Sequence, residues 1–360
     1  MENNMDMIYQ NEPNTQQNKW LGRSGSDSDI VVRTRVRLAR NIDGIPFASH
    51  QSTEDAEHVV ACCTKQLTEL PALKDVFTIQ KSSSLSDAER ISLAERHLIS
   101  PEFAKSSLPR AVCLSGDAGI SVMINEEDHL RLQVMGDGLC INECLACAVE
   151  LDQLIDAGLN TDGLHYAFDE KIGYLTHCST NLGTGLRASV MLHLPALARN
   201  GRLKALLNAA GNLGLAIRGY YGEGSRESGD LYQVSNRITL GYTEQELCDN
   251  LCEIVSQIIQ EERAARKALL ETSRLHLEDR VCRSHAVLKS ARLISAEEAM
   301  TLLSDERLGV SLNLLPGDIR TINVLIDEIQ PATLCLNAAI NANAEQRDET
   351  RASLLRERLA

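Results

Sequence analysis

The rhythm of apolar and polar positions divides the chain in two. From Ile30 to Leu38, Val32, Thr34, Val36 and Leu38 alternate with Arg33, Arg35 and Arg37. A period of two predicts a strand with three guanidinium groups on one face and an apolar set on the other. Short apolar runs at Ala111–Leu114, Ile120–Ile124, Leu130–Met135, Leu213–Arg218 and Tyr232–Leu240 also predict strands. Glu54–Leu70, Val149–Ala157 and Leu186–Leu197 predict helices. Several strands succeed one another with no helix between them. That order favours an α+β fold with a mostly antiparallel sheet flanked by helices over a doubly wound parallel one.

Past Gly241 the period lengthens. Thr243-Glu244-Gln245-Glu246 is a capping box, and Leu247, Leu251, Ile254, Val255 and Ile258 form the stripe of a long helix. Ser295 opens a second helix. Leu314 to Asp318 punctuates before a third over Ile319–Ile329, which Pro331 stops. The expected organisation is a disordered, Asn/Gln-rich tail over 1–19, a catalytic domain over 20–255 and an all-α C-terminal domain over 256–360.

Composition narrows the function. A formal charge of −14 argues against a general polyanion binder, and 3% aromatic content argues against base-stacking platforms, so no nucleic-acid partner is expected. No secretory signal and no apolar run of membrane-spanning length is visible. The 11 cysteines then read as reduced thiols of a cytoplasmic protein. Cys144-x-x-Cys147 has no second pair at zinc spacing and lies in a helical segment, so no metal site is expected there.

The candidate chemistry starts at Cys178-Ser179-Thr180-Asn181-Leu182-Gly183-Thr184-Gly185-Leu186-Arg187. A thiol, a glycine pair and a guanidinium in one loop could wrap a phosphate with backbone N–H groups. No G-x-x-x-x-G-K-[ST] segment supplies the usual lysine. Arg33, Arg35 and Arg37 on one strand face are either a solvated basic face or a clamp that needs an anion. Asn125-Glu126-Glu127-Asp128-His129 and Gly222-Glu223-Gly224 are either exposed acidic turns or a carboxylate pair for a cation. Two such glutamates could hold a planar guanidinium and accept its proton as a nitrogen attacks phosphorus. Cys178 is either a contact to the same substrate or a buried thiol.

Taken together, these segments resemble the ATP:guanido phosphotransferases (creatine and arginine kinases), and more closely the bacterial protein-arginine kinases among them. The matching stretches are Ser28–Val31 running on to Arg35–Asn41, Ile124–Arg131, Cys178–Met191, Arg218–Gly224 and residues 232–241, in order across about 220 residues. The resemblance implies nucleotide-phosphate contacts from Arg35, Arg37, Arg131, Arg187 and Arg218, with His97 at the nucleotide. It implies a wider nucleotide-binding lining of Arg33, Thr34, Val36, Ala188, Ser189, Val190, Met191, Gly219, Tyr220, Tyr221 and Gly222. Glu127 and Glu223 would orient and deprotonate the acceptor guanidinium, Cys178 would contact it, and Mg²⁺ would enter as the ATP complex. Arg33 stands where the family usually has serine, and Ser179 where it commonly has proline.

Small-molecule guanidino kinases carry an N-terminal helical domain that helps enclose the substrate. Here the phosphotransferase-like region starts near Trp20 and the helical addition follows it, which implies a site open to arginine on a protein surface. Arg347-Asp348-Glu349-Thr350-Arg351-Ala352 is, from the residues alone, a helix with routine ion pairs or a phosphoarginine grip. By resemblance, Arg347, Asp348, Arg351 and Ala352 form an allosteric phosphoarginine-binding motif. The resemblance further implies protein substrates with exposed arginine, a zinc-binding activator protein, a Clp ATPase/protease, a stress-gene repressor and a possible homodimer. The alternatives are a free-arginine or other phosphagen kinase and a catalytically idle phosphoarginine-binding adaptor.

Overall fold

The alternation around Arg35 becomes β1 (Val31–Arg40), fifth of eight strands across a single sheet. This computed structural model describes residues 25–105, 108–220 and 229–359. The expected tail over 1–19 and the expected site residues Tyr221, Gly222 and Glu223 lie outside them. After β1 come α1 (Thr53–Glu69), β2 (Phe77–Lys81), α2 (Asp87–Glu95) and α3 (Pro101–Lys105), then a meander of β3 (Ala111–Ser115), β4 (Ile120–Ile124) and β5 (Leu130–Asp137). A long helix α4 (Ile141–Thr161) and a small hairpin, β6 (Phe168–Asp169) with β7 (Gly173–Tyr174), lead to β8 (Leu186–His193). Two helices, α5 (Pro195–Arg199) and α6 (Leu203–Asn212), precede β9 (Leu215–Gly219) and β10 (Leu231–Asn236). The sheet order is β2-β3-β4-β5-β1-β8-β10-β9, and every adjoining pair is antiparallel.

The two sheet faces follow from the pleat. Val36, Leu38, Val122, Leu132, Val134, Ala188, Val190 and Val234 point to one side. There they meet Val59, Cys63 and Leu67 of α1 and Leu151 and Ile155 of α4 in the main core. Each such fully buried aliphatic side chain contributes on the order of 1.5–3 kcal/mol. Arg35, Arg37, Arg131, Gln133, Arg187, Ser189 and Gln233 lie on the other face, in register across β5, β1, β8 and β10.

Leu186–Leu197 is not the expected helix: Leu186–His193 is strand β8, and only Pro195–Arg199 is helical. Leu186, Ala188, Val190 and Leu192 alternate with Arg187, Ser189, Met191 and His193, but β8 lies mid-sheet and is covered on both faces. Apolar Met191 on the second face hides the period of two.

Beyond Gly241 the chain is helical. Thr243 and Glu246 form the expected capping box of α7 (Glu244–Ser290). The stripe Leu247, Leu251, Ile254, Val255 and Ile258 completes the sheet's main core. The expected boundary at 255–256 falls inside this helix, whose backbone leaves the helical region at Ser273. Then follow α8 (Ala296–Ser311), α9 (Ile319–Glu328), α10 (Pro331–Asn337) and α11 (Ala344–Arg358). Their core of Leu288, Met300, Leu303, Ile322, Leu325, Ala352 and Leu355 is shared with Val32, Met191, Tyr220 and Leu231 of the sheet region. Arg307 of α8, fully buried, donates to the carbonyls of Ser28 (2.7 Å) and Asp29 (2.9 Å), fastening the entry to β1.

Candidate active site

A cleft of about 1100 Å³ opens over the polar face of the sheet. Six of its lining residues are arginines: Arg35, Arg37, Arg110, Arg131, Arg187 and Arg218. The strand register brings them together, since Arg37 stands opposite Arg187 on β8, Ala39 opposite Arg131 on β5, and Arg218 opposite Gln233 on β10. Neutral partners hold some of them loosely: Arg35 Nε lies 3.5 Å from Ser189 Oγ, and Arg187 Nη2 lies 3.4 Å from Ser235 Oγ. Arg37 Nε is buried without a hydrogen-bond partner.

Such a cluster is electrostatically incomplete. Burial, with Arg131, Arg187 and Arg33 adding repulsion, pushes Arg35 down to about 9. Burial also takes Arg37 well below its ordinary value, with Arg35, Arg131 and Arg187 adding to it and Glu126 opposing. A guanidinium does not give up its proton in practice, so the cluster gains stability by receiving an anion. An orphaned buried Nε and forked cations at one depth fit a polyphosphate.

His97 forms part of the same wall. Its carbonyl accepts from Gln133 Nε2 at 2.8 Å, and its ring meets the edge of Tyr220 at 5.0 Å. Burial and the field of Arg33, Arg35 and Arg37 hold it well below the usual histidine range, so it stays neutral beside the arginines. Arg110, which directly precedes β3, was not foreseen from the sequence. It packs over the Phe103 ring at 5.5 Å and donates to the carbonyls of Glu102 and Glu126. A lone arginine after Pro109 carries no periodic signal, and only the fold brings it to the cleft.

The three acids that follow β4 take three different roles. Glu126, nearly buried, accepts from Ser100, from the Glu127 amide (2.7 Å) and from Arg131 (2.5 Å). Burial opposes its charge, but Arg131, Ser100, that amide and Arg37 outweigh it, and its pKa falls. Asp128, 1% exposed, accepts from Asn41 Nδ2 and from the His177 amide, each at 2.7 Å. It thereby ties the end of β1 and the Glu127 turn to the segment entering Cys178. Glu127 lines the cleft beside Glu126, with Arg131 at 3.8 Å. Burial raises its pKa, with Glu126 and Asp128 adding to the effect and Arg131 and His177 opposing it. A carboxylate with raised proton affinity at the mouth of an arginine cleft is suited to accept a proton.

The loop from Cys178 to Arg187 supplies the opposite wall, with Cys178, Thr180, Asn181 and Arg187 lining the cleft. Cys178 Sγ lies 3.0 Å from Thr180 Oγ1. From Asn181 to Leu186 the backbone N–H groups are taken up within the fold. Those of Asn181, Leu182, Gly183, Thr184 and Gly185 donate to the carbonyls of Cys178, Ser179, Tyr174, Thr239 and Asn181, and that of Leu186 donates to Thr184 Oγ1. The glycines serve close packing. Gly183 (φ +100°) and Gly185 (φ +64°) take conformations that L side chains avoid, and added Cβ atoms would stand 2.6 Å from the Thr239 oxygen and 2.5 Å from the Ala39 oxygen.

The remaining expected residues divide by face. Thr34, Val36, Ala188 and Val190 turn to the core side, while Met191 packs with Val32, Tyr220 and Leu231; none of them lines the cleft. Ser189 supports Arg35 from below, and Gly219 and Tyr220 are buried where β9 ends. Arg33 shares the arginine face yet pairs with Asp327 of α9 at 2.9 Å. On α11, Arg351 is 1% exposed and donates to the carbonyls of Ile329 (2.9 Å) and Ile294 (2.8 Å) and to Asp348 (2.6 Å). Ala352 is buried, and Arg347 donates to the Ala342 carbonyl. Arg351 is therefore bonded within the fold. Among the described residues, no group of three His, Cys, Asp or Glu side chains could hold a metal ion. No helix among them is long and apolar enough to cross a membrane.

Comparison with known proteins covers nearly the whole chain. The family model of the ATP:guanido phosphotransferase C-terminal catalytic domain matches residues 58–265, and that of the protein-arginine kinase McsB C-terminal domain matches residues 274–360. A protein-arginine kinase of Halalkalibacterium halodurans is 46% identical over 341 residues, 94% of each chain. One from Symbiobacterium thermophilum is 42% identical over 350 residues, covering 96% of this chain and 97% of the other. Among solved structures, a lombricine kinase superposes with a TM-score of 0.60 at 23% identity, covering 74% of this chain and 76% of that one. A substrate-free duplicated taurocyamine kinase from Schistosoma mansoni gives 0.56 at 20% identity, covering 95% of this chain and 53% of that one. These two show a shared fold.

Proposed function

The chain belongs to the protein-arginine kinase branch of the ATP:guanido phosphotransferase family, and from that premise we propose that it transfers the γ-phosphoryl group of ATP to the guanidinium of arginine residues in proteins. The observation that carries this reading is the cleft itself, where six arginines gather over one sheet face and Glu127, a carboxylate of raised proton affinity, lines the same cleft. The arginines gather the polyphosphate, and Mg²⁺ travels with it on phosphate oxygens and water. Glu127, with Glu223 as its proposed counterpart, takes a proton from the acceptor guanidinium. The freed nitrogen lone pair forms the N–P bond while the γ-phosphorus–oxygen bond to ADP breaks, and ADP leaves with that electron pair. Cys178 stands on the acceptor side. Positioning and charge neutralisation carry most of such a transfer.

The acceptor is read as protein-borne because relatives named protein-arginine kinase align over nearly their full length, including the C-terminal domain. Incubation with γ-labelled ATP and a casein-like protein tests this. Acid-labile label on arginine supports the reading, and label confined to serine, threonine or tyrosine refutes it.

The finer parts of the reading rest on the family alone: a zinc-binding activator, delivery of marked proteins to a Clp protease, control of a stress repressor, and a dimer. Eleven free thiols, none in a disulfide, support a cytoplasmic setting. At α11 an effector phosphoarginine would compete with Arg351 for Asp348 and place its phosphate at Arg347. Saturable binding of phosphoarginine that is lost in Arg347→Ala is the expected result, and equal binding by both proteins would remove this role.

A further inference from the structure

The C-terminal domain reaches the arginine face at one buried carboxylate. Asp327 of α9 is 3% exposed. Its Oδ1 accepts from Arg33 Nη2 at 2.9 Å and from Tyr220 Oη at 2.8 Å. Both partners belong to the phosphotransferase region. Arg33 is two residues from Arg35 on β1, with its side chain on the same face. Tyr220 follows the last residue of β9 and leads into the segment that contains Glu223, and its ring stands against His97 in the cleft wall. A second carboxylate fastens the same region in the reverse direction. Glu95, also in the cleft wall, accepts from the amides of Ala332 (3.0 Å) and Thr333 (2.8 Å) at the start of α10. The helices of the C-terminal domain are thus bonded to β1, β9 and α2, three of the elements that shape the cleft.

The charges on β1 are sorted by this contact. Burial opposes the Arg33 cation, but Asp327 and Tyr220 more than offset it, whereas Arg35 and Arg37 receive no comparable carboxylate. We propose that Asp327 is a positioning residue of the phosphoryl-transfer site: it neutralises Arg33, so that a polyphosphate settles at Arg35 and Arg37 and not one step along the strand, and it fixes Tyr220 against His97 in the cleft wall. This rests on the reading of the cleft as a phosphoryl-transfer site. Asp327 acts through Arg33 and Tyr220 and touches no reacting atom.

Three full-length variants test it. Asp327→Asn keeps an acceptor but removes the charge, Tyr220→Phe removes one hydroxyl and keeps the ring, and Arg33→Met combined with Asp327→Asn removes both charges. Misplacement of a site by about 1 Å costs on the order of 100-fold, so a loosened anchor is expected to lower kcat about tenfold in Asp327→Asn and in Tyr220→Phe. The KM for MgATP should stay within about threefold, because Arg35 and Arg37 are untouched. MgADP should bind Asp327→Asn at least as tightly as wild type, since the freed Arg33 adds a cation. The double variant should regain part of the kcat lost in Asp327→Asn, the coupling expected of contacting residues. Backbone amides of Gly219 and Tyr220 should exchange hydrogen faster in Tyr220→Phe.

Wild-type kcat and exchange in both single variants would overturn the inference. So would kcat losses that track lost thermal stability, with KM rising in parallel and no recovery in the double variant. A wild-type protein that transfers only to free arginine, or to nothing, refutes the proposed function. MgADP affinity and exchange in the variants still decide the role of Asp327 in that case.

Discussion

Asp128 is where stability and catalysis should separate most clearly. It is 1% exposed, and one oxygen receives Asn41 Nδ2 and the His177 amide, both at 2.7 Å. Asn41 in turn accepts from the His129 amide at 2.9 Å and donates to the Leu175 carbonyl at 3.0 Å. Asp128→Ala leaves a buried donor, Asn41 Nδ2, and a part-buried one, the His177 amide, without their charged acceptor. At about 1.5–3 kcal/mol for each hydrogen bond to a charged group, the loss is about 3–6 kcal/mol. Asp128→Asn keeps a neutral oxygen acceptor and should lose roughly half of that. The same contacts set the distance between Glu127, one residue before Asp128, and Cys178, one residue after His177. A shift of about 1 Å there is worth about 100-fold in kcat. Urea unfolding gives the first quantity, and turnover per folded molecule at saturating MgATP and protein substrate gives the second. Asp128→Ala is expected to lose both, and Asp128→Asn to lose less of each. An Asp128→Ala protein that is destabilised yet turns over at the wild-type rate per folded molecule would refute the tie between the two loops.

Glu127→Gln should lower kcat by roughly 10²–10⁴ while MgADP binding persists, as for loss of a general base. Because burial raises the Glu127 pKa, its proton-accepting form is lost as pH falls through a value above the ordinary glutamate figure of about 4.3. The acid limb of kcat/KM should lie above that figure and should be absent from the residual activity of Glu127→Gln; an unchanged limb would assign it to another group. Arg37→Met removes a buried guanidinium that has only like charges and Glu126 for company. Its affinity for MgATP should fall by about 1.5–3 kcal/mol, or roughly 10- to 100-fold, with folding stability equal to or above wild type. A destabilised Arg37→Met with normal nucleotide affinity would contradict the view that the cluster awaits an anion.

What could be seen in the sequence was local. The period of two through Arg33, Arg35 and Arg37 is a property of one strand, and so are the capping box at Thr243 and the stripe behind it. Leu186–Leu197 failed because a strand covered on both faces keeps too little alternation to differ from a helix. Glu126, Glu127 and Asp128 look alike in the sequence. Their roles differ because Ser100, Asn41 and His177 arrive from other parts of the chain, while Arg131 at the start of β5 turns to Glu126. Nothing in the sequence shows that the carbonyls of Thr239 and Ala39 press against Gly183 and Gly185. Arg33 and Asp327 are 294 residues apart, and Arg351 is spent on carbonyls that carry no side-chain identity. Neither pairing has a periodic or spacing signal to find.

If six arginines hold the donor while carboxylates deprotonate an arginine acceptor on a protein, the phosphoryl group must end on a protein guanidinium. Phosphorus NMR of the purified chain with MgATP, a casein-like protein and free arginine at equal guanidinium concentration tests it most directly. The expected result is an acid-labile phosphoramidate resonance on the protein fraction, growing as ADP appears and lost in Glu127→Gln. Phosphoramidate on free arginine alone, or none on either acceptor with an activator protein present, would contradict it.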